Sequence, residues 1–399
     1  MFNYLTAGES HGPQLTAIVE GVPAGLNIDI KKINYQLSRR QKGYGRGGRM
    51  KIEADTVEIV SGVRNGVTLG SPITLVIKND DWENWTKIMD PINPIAENLN
   101  LKENKLAYDT QTPRPGHADL SGGIKYNQKD LRNILERASA RETAARVAVG
   151  SVARIFLEEF EIKFTSHVVQ IGEVKLETNF EIKDIEEFNA LAEKSEVRCV
   201  DTDVAGKMIN AIKTAKEKKD SLGGVVEIIV RGLPVGLGSY TQWYKRLEGN
   251  LAQVLMSVQS VKSVEIGLGL RASGMYGSSV HDEIFYNKKG DSKKKNFYRK
   301  TNNAGGLEGG ITTGEDLIIR VGCKPISTLN KPLNSVDVKT KNKTKAMVER
   351  TDNCVVPALA VVCEGCIAPV LAKAFTEKFG SDNMDEIKRN FDSFLSSKY

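Results

Sequence analysis

The stretch Ile18-Val19-Glu20-Gly21-Val22-Pro23-Ala24-Gly25-Leu26 occurs a second time, with three changes, as Ile229-Val230-Arg231-Gly232-Leu233-Pro234-Val235-Gly236-Leu237. In both copies a run of β-branched residues meets a Gly-X-Pro-X-Gly loop. Glycine and proline commonly end strands, so each copy indicates a strand followed by a defined turn.

A second pair of similar segments follows in the same order. Gly66-Val67-Thr68-Leu69-Gly70 precedes the apolar run Ile73–Ile77, and Gly310-Ile311-Thr312-Thr313-Gly314 precedes Leu317–Val321. Because ordered internal similarity is typical of a repeated unit, we predict a core built from a duplicated β-α-β unit. Short glycine and proline strings also recur by chance, which leaves an unduplicated core as the alternative.

The remaining periodicity predicts a mixed α+β protein. Helical spacing of apolar residues extends from Asp130 to Phe160, with Gly150 as a break, and a second helix begins at Thr351 or Asp352 and passes Pro357 to about Phe379. Strands are predicted at Gln14–Glu20, Thr56–Val60, Ile73–Ile77, Val225–Val230, Val264–Ile266 and Leu317–Val321.

Composition limits the class of protein. The 399 residues are 40% hydrophobic and contain no linker-like spacer, so we predict a single domain over residues 1–399. A net charge of +6 suits an acidic small molecule and is too weak to indicate nucleic acid. Five cysteines, an odd number, favour a reducing compartment. We find no signal peptide and no stretch approaching the roughly 20 apolar residues of a membrane span, so we expect a soluble, cytoplasmic protein.

Two of the four histidines lie beside glycine. His11 lies in Gly8-Glu9-Ser10-His11-Gly12, and His117 lies in Arg114-Pro115-Gly116-His117-Ala118-Asp119. An imidazole titrates near neutral pH, so both side chains are candidates for proton transfer to a ligand. The alternative is a pair of ordinary surface-loop histidines.

Arginine-rich segments accompany these histidines. The segment Arg39–Arg49 combines four further glycines with arginines, whose planar forks bind phosphate and carboxylate, and we predict an anion cradle there. A mobile surface loop or an RNA-binding segment is the alternative. Arg137 and Arg141 are four residues apart and would share one face of a helix, which favours a ligand packed against that face. The alternative is an ordinary helix stabilised by salt bridges.

Three further segments carry polar or reactive groups. Lys324–Thr328 and Arg350–Asp352 supply donors near strand and helix ends, and Asp352 is either a helix cap or a catalytic carboxylate. Gly267–Ala272 matches a dinucleotide fingerprint, but a loop-like sequence follows it where a helix is required. Cys363 and Cys366, with Cys354 nearby, have apolar flanks and indicate buried side chains rather than a metal site.

In this order, the segments resemble the chorismate synthase family over essentially the whole chain. The resemblance implies a β-α-β sandwich fold, and the conversion of 5-enolpyruvylshikimate 3-phosphate to chorismate by anti-1,4-elimination of phosphate. It also implies a requirement for reduced FMN without net redox change, with NADPH as a reductant in bifunctional members. A homotetramer, formed as a dimer of dimers, is expected.

The resemblance also implies roles for individual residues. His11 would protonate the leaving phosphate, His117 would protonate reduced flavin near N1, and Asp352 would assist removal of the ring hydrogen. Ser10 and Ser139 correspond to proton-relay serines. The expected substrate contacts are Arg40, Arg46, Arg49, Arg114, Arg141 and Arg350. The expected cofactor contacts are Arg137, Ala138, Ser139, Gln259, Ser260, Gly309, Lys324, Pro325, Ile326, Ser327, Thr328 and Arg350, with Arg40 and Arg46 for NADPH.

Two other functions remain open at this point. A flavin-dependent oxidoreductase would consume one reductant per turnover, and a basic RNA-binding module would bind single strands with a steep salt dependence. The absence of a long extra segment favours a monofunctional enzyme that does not reduce its own flavin.

Overall fold

The structure is a computed structural model that describes residues 2–46, 54–93, 111–177, 182–287, 297–349 and 352–397. The strands within these ranges are β1 (Asn3–Ala7), β2 (Gln14–Glu20), β3 (Glu58–Ile59), β4 (Val63–Arg64), β5 (Val67–Thr68), β6 (Ile73–Lys78), β7 (Lys163–Ile171), β8 (Val174–Lys175), β9 (Gly224–Arg231), β10 (Val261–Ile266), β11 (Ile284–Tyr286), β12 (Phe297–Arg299), β13 (Leu307–Glu308), β14 (Ile311–Thr312), β15 (Leu317–Cys323), β16 (Asn334–Val336) and β17 (Lys343–Lys345).

The helices described are α1 (Ile30–Gln41), α2 (Trp82–Met89), α3 (Asp119–Lys125), α4 (Arg132–Ala138), α5 (Thr143–Glu158), α6 (Ile185–Lys194), α7 (Thr202–Glu217), α8 (Leu247–Met256), α9 (Gly277–Val280), α10 (Val356–Phe379) and α11 (Met384–Ser396). Short 3₁₀ turns occur at Ala140–Glu142, Trp243–Lys245 and Gly269–Gly274.

Two antiparallel sheets enclose a layer of helices. The first sheet has the order β1-β2-β6-β3, and the second has the order β10-β15-β9-β7-β8. Helix α5 packs on the first sheet and α10 packs on the second, while the two helices pack against each other. The fold is therefore a mixed α and β protein with a β-α-β sandwich, as predicted.

One face of the first sheet is buried against the helical layer, and the other is exposed. In β2, Leu15, Ala17 and Val19 are buried, whereas Ile18 and Glu20, which alternate with the buried positions, are exposed. Successive side chains of a strand point to opposite faces, so this alternation places one face on the helical layer. The second sheet is covered on both sides in its centre, because α6 and α7 also pack on β7.

The duplication predicted from the sequence is present in the tertiary structure. The order β1-β2-β6-β3 in the first sheet recurs as β7-β9-β15-β10 in the second. Thr68 Oγ1 donates to Pro23 O at 2.6 Å and accepts from Leu26 N at 2.9 Å. Its counterpart Thr312 Oγ1 donates to Pro234 O at 2.6 Å and accepts from Leu237 N at 2.8 Å. Each buried threonine closes one Gly-X-Pro-X-Gly loop.

All six predicted strands are confirmed within a few residues, but the break predicted at Gly150 is wrong. Helix α5 continues through Gly150, and the chain breaks earlier, at Ser139. A Cβ atom on Gly150 would lie 2.1 Å from Gly365 O. The glycine therefore permits close packing of α5 on α10, and it does not end a helix.

Helix α10 ends at Phe379, as predicted, but Asp352 does not cap it, and Thr351 lies outside the described residues. The N-cap is Val355, and Pro357 occupies the first turn, where its missing N–H costs nothing. By length and composition, Val356–Phe379 is the one described helix that could cross a bilayer. This corrects the expectation that no stretch is long enough, although 89% of its apolar window is buried inside the protein. It is the core helix of the sandwich.

The fingerprint at Gly267–Ala272 leads into the 3₁₀ turn Gly269–Gly274 and then the four-residue helix α9. The helix N-terminus that a dinucleotide pyrophosphate requires is not formed at this point.

All five cysteines are buried thiols. Burial raises the pKa of Cys354 to about 12 and that of Cys366 to about 11, so both are unreactive core side chains.

Candidate active site

A cavity of about 670 Å³ collects most of the residues singled out in the sequence. We call it the active-site cavity. The expected site residues that line it are Ser10, His11, Arg40, Arg46, Arg114, His117, Ala138, Ser139, Arg141, Gln259, Ser260, Lys324, Pro325, Ile326, Ser327, Thr328 and Asp352.

Two expected cofactor residues lie elsewhere in this chain. Arg137 is exposed and donates to Thr6 O at 2.8 Å and to Gly8 O at 3.3 Å. It does not share a helical face with Arg141, because α4 ends at Ala138 and the chain becomes extended at Ser139. Gly309 lies exposed in the turn between β13 and β14. Arg49 and Arg350 fall outside the described residues.

His11 is held by a buried carboxylate. Gly8, with φ of +106°, tightens the loop between β1 and β2, where a Cβ atom would lie 2.4 Å from Gln14 O. The loop brings His11 to Glu136 of α4, whose carboxylate accepts from His11 N at 2.8 Å and lies 3.0 Å from His11 Nδ1. The imidazole also stacks on Trp85, with ring centroids 4.0 Å apart. The ring is thus fixed in position and orientation.

The Glu136 carboxylate is ionised despite its burial. Burial acts to raise its pKa, but the hydrogen bond and charge of His11, together with the charge of Arg132, hold the pKa below its usual value. Arg132 Nη1 donates to Glu136 Oε1 at 3.0 Å. A carboxylate on Nδ1 favours the tautomer that carries its proton there, which makes Nε2 the atom suited to exchange a proton with a ligand.

His117 has a carboxylate partner of its own. His117 Nδ1 lies 2.6 Å from Asp119 Oδ1, and Asp119 is fully buried at the start of α3. Arg114 donates through Nε to Asp119 Oδ2 at 2.8 Å and through Nη1 to Thr328 Oγ1 at 2.9 Å. Burial acts to raise the pKa of Asp119, but the hydrogen bonds from His117 and Arg114 lower it well below its usual range. Asp119 therefore orients both side chains at the cavity.

A third buried carboxylate, Asp55, organises the arginines. Arg40 Nη1 donates to Asp55 Oδ2 at 3.2 Å, and Arg141 Nη1 pairs with Asp55 Oδ1. Arg46 Nη1 lies 3.3 Å from Asp352 Oδ2. Arg39, part of the predicted cradle, points away from the cavity and binds Glu364 in the core, because adjacent residues of α1 face different directions.

The lining of the cavity carries an excess of positive charge. The cationic side chains are Arg40, Arg46, Arg114, Arg141, Lys262 and Lys324, and the acidic ones are Asp81, Glu349 and Asp352. Charge-assisted hydrogen bonds from arginine are strongest to carboxylate and phosphate. The arrangement therefore favours a ligand with more than one negative charge.

Another part of the wall is apolar. It consists of Leu135, Met256, Val258, Val261, Val355, Ala358, Leu359 and Val362. Gln259 lies within this wall, and its buried Oε1 atom has no hydrogen-bond partner among the described residues. Ser260 next to it has φ of +69°, a conformation that non-glycine residues adopt rarely and often at functional sites. Apolar walls with a few polar atoms are typical of sites for planar ligands.

Four residues that sequence reasoning did not select hold the site together: Asp55, Trp85, Asp119 and Glu136. Asp119 belongs to the segment Arg114–Asp119, and its spacing of two from His117 is a usable signal. Glu136 is 125 residues from His11, and Asp55 is 86 residues from Arg141, so local sequence carries no sign of either pair.

Two histidines on buried carboxylates face one cavity with excess cations, an arrangement typical of enzymes that transfer protons on anionic ligands. The family model described as chorismate synthase matches residues 2–376. The chain is 53% identical over 388 residues to "Chorismate synthase 2" of Bacillus cereus, covering 97% of both chains. It is 52% identical over 390 residues to "Chorismate synthase" of Bacillus subtilis (strain 168), covering 98% of this chain and 97% of that one.

A solved structure supports the same assignment. The "Crystal Structure of Chorismate Synthase" matches with a TM-score of 0.75 and 43% identity, covering 99% of this chain and 97% of that one. The chain belongs to the chorismate synthase family.

Proposed function

We propose that the protein converts 5-enolpyruvylshikimate 3-phosphate to chorismate by anti-1,4-elimination of phosphate, as a carbon-oxygen lyase of the shikimate pathway. The observation that carries the proposal is the pair of histidines, each held by a buried carboxylate at one cavity rich in arginine. We infer the reaction from family membership, and the cavity contains groups that are able to perform it.

The charges of the cavity suit this substrate. It carries one phosphate and two carboxylates, and arginine forks bind both kinds of group through paired hydrogen bonds. Arg40 and Arg141 share Asp55, which fixes their guanidinium groups before a ligand arrives. Fixed donors lose little entropy on binding, so these residues bind and orient the substrate anions.

The proton-transfer roles follow from position. His11 delivers a proton from Nε2 to the departing phosphate, since Glu136 occupies its Nδ1 side. Asp352, which lies 3.3 Å from Arg46, accepts the ring hydrogen as a proton. Ser10 and Ser139, with their Oγ atoms 3.2 Å apart, form a short relay beside His11. His117 holds a proton on the cofactor side of the cavity.

The residues present fit reduced FMN. The apolar wall suits a planar ring, and the unused acceptor Gln259 Oε1 suits an N–H or O–H group at a ring edge. Gln259, Ser260, Ala138, Ser139 and the segment 324–328 would hold the cofactor. When bound, reduced FMN supplies electron density transiently without net redox change. Lys324 Nζ donates to Gly116 O, which joins this segment to the His117 loop.

An anaerobic assay tests the proposal. Purified protein, substrate and chemically reduced FMN should give chorismate, with far less than one reductant consumed per turnover. Stoichiometric consumption of reductant would indicate an oxidoreductase instead, and no chorismate at all would overturn the proposal. A second arm with oxidised FMN and NADPH tests whether NADPH serves as reductant, and the monofunctional type predicts no product there.

We also propose that the enzyme acts in the cytoplasm as a homotetramer, a dimer of dimers. Large apolar side chains are exposed in the single chain, among them Trp243 at 80% and Tyr276 at 85%. Such side chains are often covered on assembly. Light scattering coupled to size-exclusion chromatography should give a mass of four chains, and a monomer would contradict this.

A further inference from the structure

A second cavity of about 520 Å³ lies against the loop 42–46, whose Arg46 also lines the active-site cavity. It is lined by this loop, by residues 193–196 and 198, by two residues of α7, Ile212 and Lys216, and by Asn353. None of the proposed proton-transfer groups lines it. The second cavity therefore has no assigned role in the elimination.

The second cavity also carries an excess of positive charge. Its cationic side chains are Lys42, Arg46, Lys194, Arg198 and Lys216, and its acidic ones are Glu193 and Glu196. Glu193 is already neutralised, because it accepts from Arg39 Nε at 2.6 Å and pairs with Arg198 Nη1. The lysines therefore face the cavity with one exposed acidic side chain to balance them, that of Glu196.

Arg198 gives an independent sign of an unused donor at this cavity. The residue is 5% exposed, and among the described residues its Nε atom has no hydrogen-bond partner. Burial and the neighbouring charge of Arg39 lower the pKa of Arg198 from its ordinary value. Glu193 and Glu364 already balance the charge of this guanidinium, so the buried Nε donor is the group that a bound anion would satisfy.

The two cavities share one lining residue, Arg46. Asp352 lines the first cavity, and the adjacent Asn353 lines the second. Asn353 N donates to Gly45 O at 2.8 Å, and Tyr44 N donates to Glu196 O at 2.7 Å. These bonds tie the loop to both sides, so a shift of Arg46 changes the two cavities together.

We propose that the second cavity binds a small multivalent anion, a phosphate ester or polycarboxylate, and that this binding antagonises substrate binding through Arg46. The volume falls in the range of small-molecule sites. Both ligands are anions that attract the same guanidinium, so each weakens the binding of the other. Such coupling is reciprocal and commonly amounts to roughly 5- to 150-fold. The binding itself does not depend on the proposed reaction.

Calorimetric titration with inorganic pyrophosphate tests the binding. The test variant is Lys194→Glu/Lys216→Glu, and the matched control is Lys207→Glu/Lys213→Glu, which makes the same charge change at exposed positions of α7 outside both cavities. We expect the test variant to lose one equivalent of bound pyrophosphate per chain, while the control keeps the wild-type number. Equal stoichiometry in the test and control variants would overturn the proposal.

A second titration uses protein saturated with substrate in the absence of FMN, so that no turnover occurs. Substrate blocks the active-site cavity, and one equivalent of pyrophosphate should still bind to wild type and control, at least 5-fold more weakly than without substrate. No remaining equivalent, or an unchanged affinity, would contradict the coupling. If substrate itself fails to bind, the proposed function fails, while the first titration still decides the anion site.

Discussion

The Nδ1 atom of His11 lies 3.0 Å from both carboxylate oxygens of Glu136, a side chain that is completely buried. Trp85 covers the face of the imidazole, and Arg132 donates to Oε1 of the same carboxylate. The histidine therefore cannot rotate without losing its hydrogen bond to a buried carboxylate and its contact with Trp85. The orientation of His11 thus depends on Glu136 of α4 and Trp85 of α2 as well as on the loop that carries the histidine.

Glu136→Gln should lower kcat by roughly 10- to 100-fold, the range found when carboxylates that orient a functional histidine are removed. The amide keeps the shape but loses the charge that stabilises a proton on His11. KM should change little, because Glu136 does not line the cavity. Steady-state kinetics of Glu9→Gln provide the control, since Glu9 is exposed two residues from His11. Equal kcat in both variants would contradict the orienting role.

His11→Ala and His117→Ala should each reduce turnover on the order of 10²- to 10⁴-fold, as expected for a positioned general acid or base. His281→Ala is the matched control, because His281 is exposed and does not line the active-site cavity. Anaerobic turnover with reduced FMN is the measurement. Near-normal rates in both test variants would show that the glycine-flanked histidines are bystanders.

Arg141→Lys should raise KM by roughly 10- to 100-fold, which corresponds to the ~1.5–3 kcal/mol of one hydrogen bond to a charged group. A lysine ammonium can pair with Asp55, but it lacks the planar fork that binds Asp55 and a ligand at once. The control is Arg64→Lys on the exposed β4 strand. The predicted anion cradle is wrong if the substrate affinity, measured by titration, is the same for Arg141→Lys and Arg64→Lys.

The protein should lose stability in acid, chiefly through Glu364. Burial acts to raise the pKa of Glu364, but Arg39, Arg154 and Arg198 lower it well below the ordinary value of 4.5. A carboxyl whose pKa falls on folding stabilises the protein above its unfolded pKa, and this contribution disappears as pH falls through the folded pKa. Wild-type denaturation midpoints in urea should therefore fall steadily below pH 4.5.

Glu364→Gln checks the cause of this acid sensitivity. At pH 7 it should cost about 3–5 kcal/mol, because three arginines lose their shared buried partner. Its stability should also vary less with pH below 4.5 than that of wild type. Glu58→Gln, at an exposed pair with Lys78, should change stability by about 0.5 kcal/mol or less. Parallel pH curves for wild type and Glu364→Gln would exclude the assignment.

Two helical glycines should respond in opposite ways to alanine. Gly150→Ala places a methyl 2.1 Å from Gly365 O and should destabilise the fold by about 3 kcal/mol, because α5 and α10 must separate. Gly206→Ala in α7 has nothing within 4 Å and should stabilise the protein by about 0.5–1 kcal/mol. Urea unfolding of both variants gives the comparison, and equal midpoints would mean that the helices do not cross at Gly150.

Local sequence was sufficient for much of the fold. The β-branched runs predicted six strands, and the repeated Gly-X-Pro-X-Gly loops predicted the duplication that the two sheets show. The boundaries of α4 and α5 were not predictable, because Gly150 looks like a helix breaker until its partner Gly365 is known. Propensity is a weak guide wherever tertiary packing requires the smallest residue.

For the candidate site, too, some features can be predicted from the sequence and others depend on the fold. The residue types alone specify which chemical groups are available, namely glycine-flanked histidines, arginines and the segment Lys324–Thr328. The packing of the elements places Arg40 at the cavity and buries the adjacent Arg39 against Glu364. It also brings Glu136 and Asp119 to the two histidines that they orient. Residue types reflect local chemistry, whereas these pairings depend on contacts between elements far apart in the chain, which no local pattern encodes.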